Sequence, residues 1–315
     1  MNVFVLGATG TIGSVVAEKL QGAGHRVLGL ARSAASAAAL EARGIQSVRG
    51  SLESSEVLTD VARAADAVVQ AAFTQAGNDL LASVAVERTA VRVLLRALAG
   101  TGKALVFTSG TAVLGDTGDR VFDEETPILL PEPDASMGLR DVALRALGER
   151  LATEKEVLGA SGVRGIVLRP PNVYGRSDGQ SILAMLRRAG RALGAVPYAV
   201  GTADHRWSFV HLDDLAHLYL LALDGAREGE LFHAGAESGL RTRAIAEAVS
   251  HRLGLGGRTV ELALPALGEA LGAPPMAHYW ASSSQSSSEK ARRVLGWKPE
   301  HVRMLDELTR PAGLP

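Results

Sequence analysis

Three regularly spaced glycines near the start of the chain constrain its fold more than any other feature. The stretch Gly7-Ala8-Thr9-Gly10-Thr11-Ile12-Gly13 directly follows the apolar residues 3–6, and this order predicts a strand that turns sharply into a helix. Gly7 permits the turn, Gly10 lets backbone amides approach a ligand without an intervening side chain, and Gly13 lets the helix pack closely on the sheet. Because amides at a helix N-terminus bind phosphate, the stretch predicts a dinucleotide site, with a structural glycine turn as the alternative.

Composition narrows the class of partner. The 315 residues, 47% of them hydrophobic, provide enough apolar surface for one large α/β core with a smaller appendage. The formal charge of −1 offers no field that would attract nucleic acid or an anionic membrane surface, so we expect a small-molecule substrate. The chain has no cysteine, which excludes disulfides and cysteine-ligated metals, and we predict no metal site. It enters a strand directly after Met1 without a basic leader, so we expect a cytoplasmic protein.

Strand and helix patterns alternate along the first half of the chain. Apolar runs that predict strands recur at 27–30, 45–48, 67–71 and 104–107, separated by patterns that predict helices. The last of these helices is long and is predicted over 78–99. The alternation predicts a doubly wound parallel sheet with helices on both faces. In such sheets, ligands bind where the carboxyl ends of the strands meet.

The residues after the second strand discriminate between two cofactors. Arg32 and Ser33 stand where an acidic residue would accept hydrogen bonds from the adenosine ribose of NAD. Their donors and positive charge suit the 2′-phosphate of NADP instead. We therefore predict NADP(H), with NAD(H) as the alternative and a solvated loop arginine as the other interpretation of Arg32.

Three further strand ends should border the cofactor. The residues that follow the third predicted strand should lie near adenine, and the small residues that follow the fourth strand leave room for the cofactor. These positions are Ser51, Leu52, Ala71, Ala72 and Phe73. The fifth strand ends in the hydroxyl residues Thr108, Ser109 and Thr111, so we expect at least one of them to act in the site. The alternative is that each only caps or turns the backbone.

Several segments together resemble the extended short-chain dehydrogenase/reductases, and more narrowly the NAD-dependent epimerase/dehydratase group. They are the glycine turn, the FTSGT strand end, the helix reaching Glu149, LRPPNVYG at 168–175, FVHLDDLA at 209–216, and 287–299. The resemblance implies a Rossmann domain over 1–175 and a substrate-binding part over 176–315, of which about 207–235 returns to the sheet. It further implies that Pro170, Asn172 and Val173 border the nicotinamide, and that the helices 78–99 and 138–159 pair in a homodimer.

The sequence departs from that family at its catalytic Tyr-x-x-x-Lys pair. Counting back from Glu149 places Asp141 at the tyrosine position and Arg145 at the lysine position, and the family's serine or threonine falls near Gly110. Ser109 and Thr111 are then displaced substitutes. Arg145 is predicted either to anchor ribose or substrate or to join an exposed ion-pair ladder with Asp141 and Glu149 on one helix face.

The missing proton donor must come from elsewhere, because arginine does not release a proton near neutral pH. The candidates in the substrate half are Tyr174, Tyr198, His205, His211 and Tyr279. Tyr174 matches the family's Asn-x-Tyr-Gly segment, and its alternative role is packing under the cofactor. His211 is also interpreted as a core histidine. Farther along, the serine-rich stretch 281–288 predicts a flexible loop.

These features predict an NADP(H)-dependent oxidoreductase that acts on a small carbonyl or hydroxyl compound by hydride transfer. In this hypothesis Thr111 or Ser109 polarises the substrate oxygen and Arg145 orients ribose or substrate. Two alternatives stay open. One is a nucleotide-sugar-type epimerase or dehydratase, which would need more from the absent tyrosine. The other is a non-catalytic protein that binds NADP(H) and senses redox state.

Overall fold

The computed structural model describes residues 1–73, 79–134, 138–176 and 181–309. Its strands, in chain order, are β1 (Asn2–Leu6), β2 (Arg26–Ala31), β3 (Gln46–Arg49), β4 (Ala67–Gln70), β5 (Ala104–Thr108), β6 (Arg164–Arg169), β7 (Asn172–Tyr174), β8 (Val196–Ala199), β9 (Arg206–His211), β10 (Glu230–His233), β11 (Glu237–Arg241) and β12 (Thr259–Leu262). Its α-helices are α1 (Thr11–Gly22), α2 (Ala34–Glu41), α3 (Ser55–Ala64), α4 (Leu80–Leu98), α5 (Leu139–Leu158), α6 (Ile182–Leu193), α7 (Leu212–Gly225), α8 (Thr242–Arg252), α9 (Leu264–Leu271), α10 (Pro274–Trp280), α11 (Glu289–Leu295) and α12 (Met304–Thr309).

Seven parallel strands form the main sheet, in the order β10-β6-β5-β4-β1-β2-β3. The chain starts in the middle of the sheet, winds outward to β3, and then returns to fill the other side from β4. This order confirms the predicted doubly wound sheet, and the four predicted strands and the long helix α4 lie where the apolar runs placed them. Residue 78, the predicted start of that helix, lies outside the described residues.

Each face of the sheet has its own apolar layer. On one face α1 and α7 pack through residues such as Val16, Leu20 and Leu215. On the other face α3 and α4 contribute Leu58 and Leu94. The strands between these layers are apolar on both faces, as expected for a buried parallel sheet.

The C-terminal half builds a separate core. Trp207, Trp280 and Leu186 are buried together in it, and two small sheets, β11-β9-β7 and β12-β8, frame it. Of the stretch 207–235 expected to return to the main sheet, β10 pairs with β6 and α7 packs on the sheet, whereas β9 pairs with β7 and β11. Among the described residues, no helix is long and apolar enough to cross a membrane.

Candidate functional site

The glycine turn between β1 and α1 has no room for side chains at two of its positions. Gly7 has φ +85°, and a Cβ there would lie 2.6 Å from the Ala71 carbonyl oxygen. A Cβ at Gly13 would lie 2.2 Å from the Gly7 carbonyl oxygen. Gly10 donates its amide to that same oxygen at 2.8 Å. The turn therefore brings the first amides of α1, which lack intrahelical acceptors, to the surface of a cleft.

That cleft is a cavity of about 580 Å³ at the carboxyl ends of β1, β2 and β4. Its lining comprises Gly7, Thr9, Gly10, Thr11, Ile12, Leu30, Arg32, Ser33, Ser36, Leu52, Ala71, Ala72 and Phe73. Eleven of these thirteen were predicted to contact the cofactor; Leu30 and Ser36 were not. Gly13 packs behind the turn, and Ser51 instead caps the backbone near α3 by accepting from the Glu53 amide. An elongated cleft with apolar walls and a helix N-terminus fits a dinucleotide.

The adenosine end of the cleft is basic and rich in hydroxyls. Arg32 is exposed, and Ser33 caps α2 by accepting the Ser36 amide at 3.1 Å. Within the described part of the chain, no carboxylate lines the cleft and no ion pair engages Arg32. The guanidinium is therefore available to an anionic group of a ligand.

The hydroxyls at the end of β5 have different surroundings. Thr108 is buried and its Oγ1 lies 2.6 Å from the Tyr219 hydroxyl, so it is used in the core. The buried Ser109 Oγ has no hydrogen-bond partner among the described residues. Thr111 Oγ1 lies 3.4 Å from Ser284 Oγ, and the Thr111 amide donates to the Pro170 carbonyl oxygen at 3.0 Å. Ser109 and Thr111 are thus the hydroxyls left for a ligand.

A second set of polar groups meets these hydroxyls from the C-terminal half. The Tyr279 hydroxyl donates to Asn172 Oδ1 at 3.3 Å, while the buried Asn172 Nδ2 has no partner among the described residues. Ser284 is 2% exposed and lies between Tyr279 and Thr111. The prediction of a flexible loop at 281–288 was therefore wrong: small serine side chains allow this stretch to be buried against neighbouring backbone. No local pattern in the sequence indicated that Ser284 would reach the site.

Asp141 and Arg145, which occupy the helix positions of the missing Tyr-x-x-x-Lys pair, both bind the backbone of the loop at Asp134. Asp141 is buried and its carboxylate accepts the Asp134 amide at 2.9 Å, while Arg145 donates to the Asp134 carbonyl oxygen at 3.2 Å. Glu149 pairs with Arg88 of α4 and so does not extend a ladder from Arg145. The buried Arg145 Nε has no partner in the described chain, and its role as a ribose or substrate anchor stays a prediction.

Tyr174 lies away from the hydroxyls of β5. Its hydroxyl donates to the His301 carbonyl oxygen at 3.4 Å, its ring packs edge-on against His211, and burial raises the pKa of its phenol. Val173, which precedes it on β7, packs against the core under α1 and α7. The catalytic role predicted for Tyr174 thus has no geometric support from the hydroxyls around Thr111, and packing describes its contacts.

His211 and His301 stack beside Tyr174. Their ring planes differ by 7° and their centroids are 3.8 Å apart, and Glu307 lies close enough for a three-ligand cation site. A metal binds imidazole in the plane of the ring, so two parallel stacked rings cannot both ligate one ion. His211 Nδ1 instead accepts the Asp213 amide at 3.2 Å and caps α7. Burial lowers the pKa of His211, which favours this neutral capping role.

A buried ion pair behind the cleft wall was missed by sequence reasoning. Glu87 on α4 lies 3.3 Å from Arg150 on α5, and Arg150 also donates to the Thr108 carbonyl oxygen at 2.9 Å. The Arg150 guanidinium lies over the ring of Phe73, which lines the cleft. Burial raises the pKa of Glu87 to about 7, against the opposing effect of Arg150. The available signal was an acidic residue on the apolar stripe of α4 that contains Val84 and Val91.

A parallel sheet that presents a glycine cradle at a helix N-terminus is the arrangement of a Rossmann dinucleotide-binding fold. A polar cluster formed by Ser109, Thr111, Asn172, Tyr279 and Ser284 meets at the neighbouring strand ends. Comparison with known families narrows this class of fold. The model of the NAD dependent epimerase/dehydratase family matches residues 3–235, and the chain belongs to that family.

Individual relatives span nearly the whole chain. An uncharacterized protein of Schizosaccharomyces pombe is 31% identical, with 99% of each chain covered. A 3-diazoavenalumate denitrifying reductase of Streptomyces is 29% identical, with 98% of this chain and 100% of the relative covered. Among solved structures, a dTDP-glucose 4,6-dehydratase of Streptomyces venezuelae with bound NAD has a TM-score of 0.76 at 21% identity, covering 98% of this chain and 95% of that one. The last likeness concerns the fold.

Proposed function

We propose that this protein is an NADP(H)-dependent reductase of small carbonyl compounds. The observation that carries the proposal is the pair of buried polar atoms Ser109 Oγ and Asn172 Nδ2, which have no hydrogen-bond partner among the described residues and belong to the paired strand ends that also carry Thr111 and Pro170. Buried donors without partners cost about 1–3 kcal/mol each, so each one calls for an explanation, and completion by a bound ligand is one that suits a pair at the strand ends of a dinucleotide-binding sheet. A carbonyl oxygen accepts hydrogen bonds from such donors, and the charge that develops on it during reduction strengthens those bonds.

The reduced cofactor, when bound, supplies a hydride. The glycine cradle would hold its pyrophosphate, and Pro170, Asn172 and Val173 would border its nicotinamide. Asn172 and Thr111 would then orient the carbonyl group of the substrate, and the Ser109 hydroxyl would offer the carbonyl oxygen another hydrogen-bond donor. Arg145, whose Nη2 donates to the Asp134 carbonyl oxygen, would use its remaining donors to orient ribose or substrate.

The preference for NADP(H) rests on the adenosine end of the cleft. An anionic 2′-phosphate gains a charge-assisted hydrogen bond from Arg32 and faces no carboxylate in the described lining. The N-terminus of α2, with Ser33 at its cap, adds favourable dipole charge at the same place. In NAD, a ribose hydroxyl would not use this positive charge.

Titration calorimetry on cofactor-stripped protein tests this preference. We expect NADPH to bind at least about tenfold more tightly than NADH, about 1.4 kcal/mol, and Arg32→Ala to abolish the difference. Arg26→Ala is the matched control, because Arg26 is exposed at the opposite end of β2 and its guanidinium donates to Gln46, away from the cleft. Equal affinities in the wild type, or an unchanged preference in Arg32→Ala, would contradict the assignment.

The same preparation distinguishes the two alternative functions. An epimerase or dehydratase that oxidises and re-reduces one bound sugar retains its cofactor, so a nucleotide that co-purifies and does not exchange would favour that function. A redox-sensing protein would bind NADPH but oxidise it with no carbonyl compound. Steady NADPH oxidation with an aldehyde or ketone supports the reductase.

A further inference from the structure

The polar cluster around Thr111 contains a phenol that the family pattern does not predict. The helix position of the family's tyrosine is Asp141, which binds loop backbone. Tyr279, on the short helix α10 of the C-terminal core, instead directs its hydroxyl to the strand end that carries Asn172. The absent proton donor thus has a chemically equivalent group that reaches the polar cluster from the C-terminal core.

Tyr279 is held by two kinds of contact. Its ring packs edge-on against the buried Trp207, with centroids 4.9 Å apart. Its hydroxyl donates to Asn172 Oδ1 at 3.3 Å and shares a hydrogen bond with Ser284. Ser284 is fixed in turn by its amide, which donates to the Arg206 carbonyl oxygen at 2.9 Å. The phenol is therefore positioned before any ligand arrives.

A continuous series of hydroxyls connects Tyr279 to the end of β5. Ser284 Oγ lies 3.4 Å from Thr111 Oγ1, and the Thr111 amide is bound to the Pro170 carbonyl oxygen. Asn172, which accepts from Tyr279, follows Pro170 by two residues and keeps its Nδ2 unpartnered among the described residues. A carbonyl oxygen held by Thr111 and Asn172 would therefore lie within reach of the Tyr279 hydroxyl.

The other three tyrosines of the chain lie elsewhere. Tyr219 is fully buried and bonds to Thr108. The Tyr174 hydroxyl donates to the His301 carbonyl oxygen, and the Tyr198 hydroxyl lies between Glu261 and Arg243. Tyr279 is thus the tyrosine whose hydroxyl meets the group around Thr111.

We propose that Tyr279 is the proton donor of the carbonyl reduction, an inference that rests on the proposed function. The carbonyl carbon receives a hydride with its electron pair from NADPH, and the C=O π pair moves onto oxygen. That oxygen takes the proton of the Tyr279 hydroxyl, and the phenolate regains a proton from water. One carbonyl compound, one NADPH and one proton become one alcohol and one NADP⁺.

The surroundings of Tyr279 favour this direction of reaction. Burial raises the pKa of the phenol, and its hydrogen bonds with Asn172 and Ser284 oppose the rise. Neither of these partners is a cation that would stabilise a phenolate. The neutral phenol still donates to a developing alkoxide, whose conjugate acid is weaker, but the phenolate needed to take a proton from an alcohol is scarce at neutral pH.

The decisive comparison is Tyr279→Phe against Tyr198→Phe, both in the C-terminal core. With the best aldehyde or ketone from a screen, we expect kcat of Tyr279→Phe to fall by about 100-fold or more, with the Kd for NADPH unchanged and KM altered little. Tyr198→Phe should keep wild-type kcat. In the wild type, oxidation of the product alcohol should rise with pH into the alkaline range, and Tyr279→Phe should lose that rise.

A second readout does not need turnover. With tyrosine labelled at the ring carbon that bears oxygen, four NMR signals are expected, and the Tyr→Phe variants assign them. Isobutyramide, an unreactive carbonyl compound, should shift the Tyr279 signal of the NADPH complex and leave the Tyr198 signal in place. If the wild type reduces carbonyl compounds while Tyr279→Phe keeps its kcat, or if the Tyr279 signal does not respond, the assignment of the proton donor is overturned. If NADPH binds, the signal responds and no carbonyl compound is reduced, the proposed function fails instead.

Discussion

Replacing Glu87 by glutamine should remove a specific pH dependence of stability. Glu87 is 1% exposed on α4, and burial raises its pKa from 4.5 to about 7 despite Arg150 at 3.3 Å. In the unfolded chain the carboxyl loses its proton near 4.5, so between that pH and 7 the unfolded state binds fewer protons than the folded state. The stability that the protonated carboxyl provides is therefore full below pH 4.5 and is lost as pH rises through 7.

The magnitude follows from the two pKa values. A tenfold change in an equilibrium constant corresponds to about 1.4 kcal/mol, so the full change is about 3 kcal/mol, and most of it falls between pH 5 and pH 8. Glutamine resembles the protonated carboxyl in shape and stays neutral throughout. The effect of the glutamine side chain next to Arg150 on the unfolding free energy does not change with pH, so it cancels when the two pH values are compared.

Urea unfolding of the wild type and Glu87→Gln at pH 5 and pH 8 measures this difference. Relative to the wild type, the variant should gain about 2–3 kcal/mol in unfolding free energy at pH 8 compared with pH 5. Glu156→Gln is the control, because Arg92 and Arg88 lower the pKa of Glu156 to about 2, so its contribution is constant over this range. Parallel curves for Glu87→Gln and the wild type would refute the reasoning.

Two further substitutions test the framework of the site. Gly13→Ala places a Cβ 2.2 Å from the Gly7 carbonyl oxygen, so NADPH affinity should fall at least about tenfold by calorimetry, whereas Gly22→Ala in the same helix, with nothing within 4 Å, should bind normally. Asp214→Asn removes one acceptor for the amides of residues 300 and 301, so limited proteolysis there should accelerate and stability should fall by about 1–3 kcal/mol; Asp213→Asn should leave proteolysis there unchanged.

Local sequence patterns predicted the main sheet well because its signals are short-range. The apolar runs that became β2, β4 and β5 are short and are flanked by polar or small residues, and the glycine turn specifies its own geometry. Gly7 needs a positive φ and Gly13 needs the absence of a side chain, and both requirements can be recognised from spacing alone.

The polar cluster around Thr111 could not be predicted in the same way, because the residues that meet in it are distant from one another in sequence. Thr111 and Ser284 are separated by 173 positions, and Tyr279 and Asn172 by 107. Each residue is unremarkable in its own segment, and a serine-rich stretch ordinarily indicates a solvated loop. Only the packing of the C-terminal core on the sheet makes these residues neighbours.

The serine-rich stretch explains how groups from the two cores keep a fixed separation. Its backbone pairs with the segment after β5: Thr117 donates its amide to Ser283, Phe122 to Gln285, and Ser287 to Phe122. Small side chains let these two segments approach closely while Ser284 turns toward Thr111. The glycine cradle belongs to the parallel sheet and Tyr279 to the C-terminal core, so this backbone pairing sets the distance between the cofactor cleft and the phenol. At the helix positions of the family's Tyr-x-x-x-Lys pair, Asp141 accepts the Asp134 amide and Arg145 donates to the Asp134 carbonyl oxygen, so both side chains hold that loop.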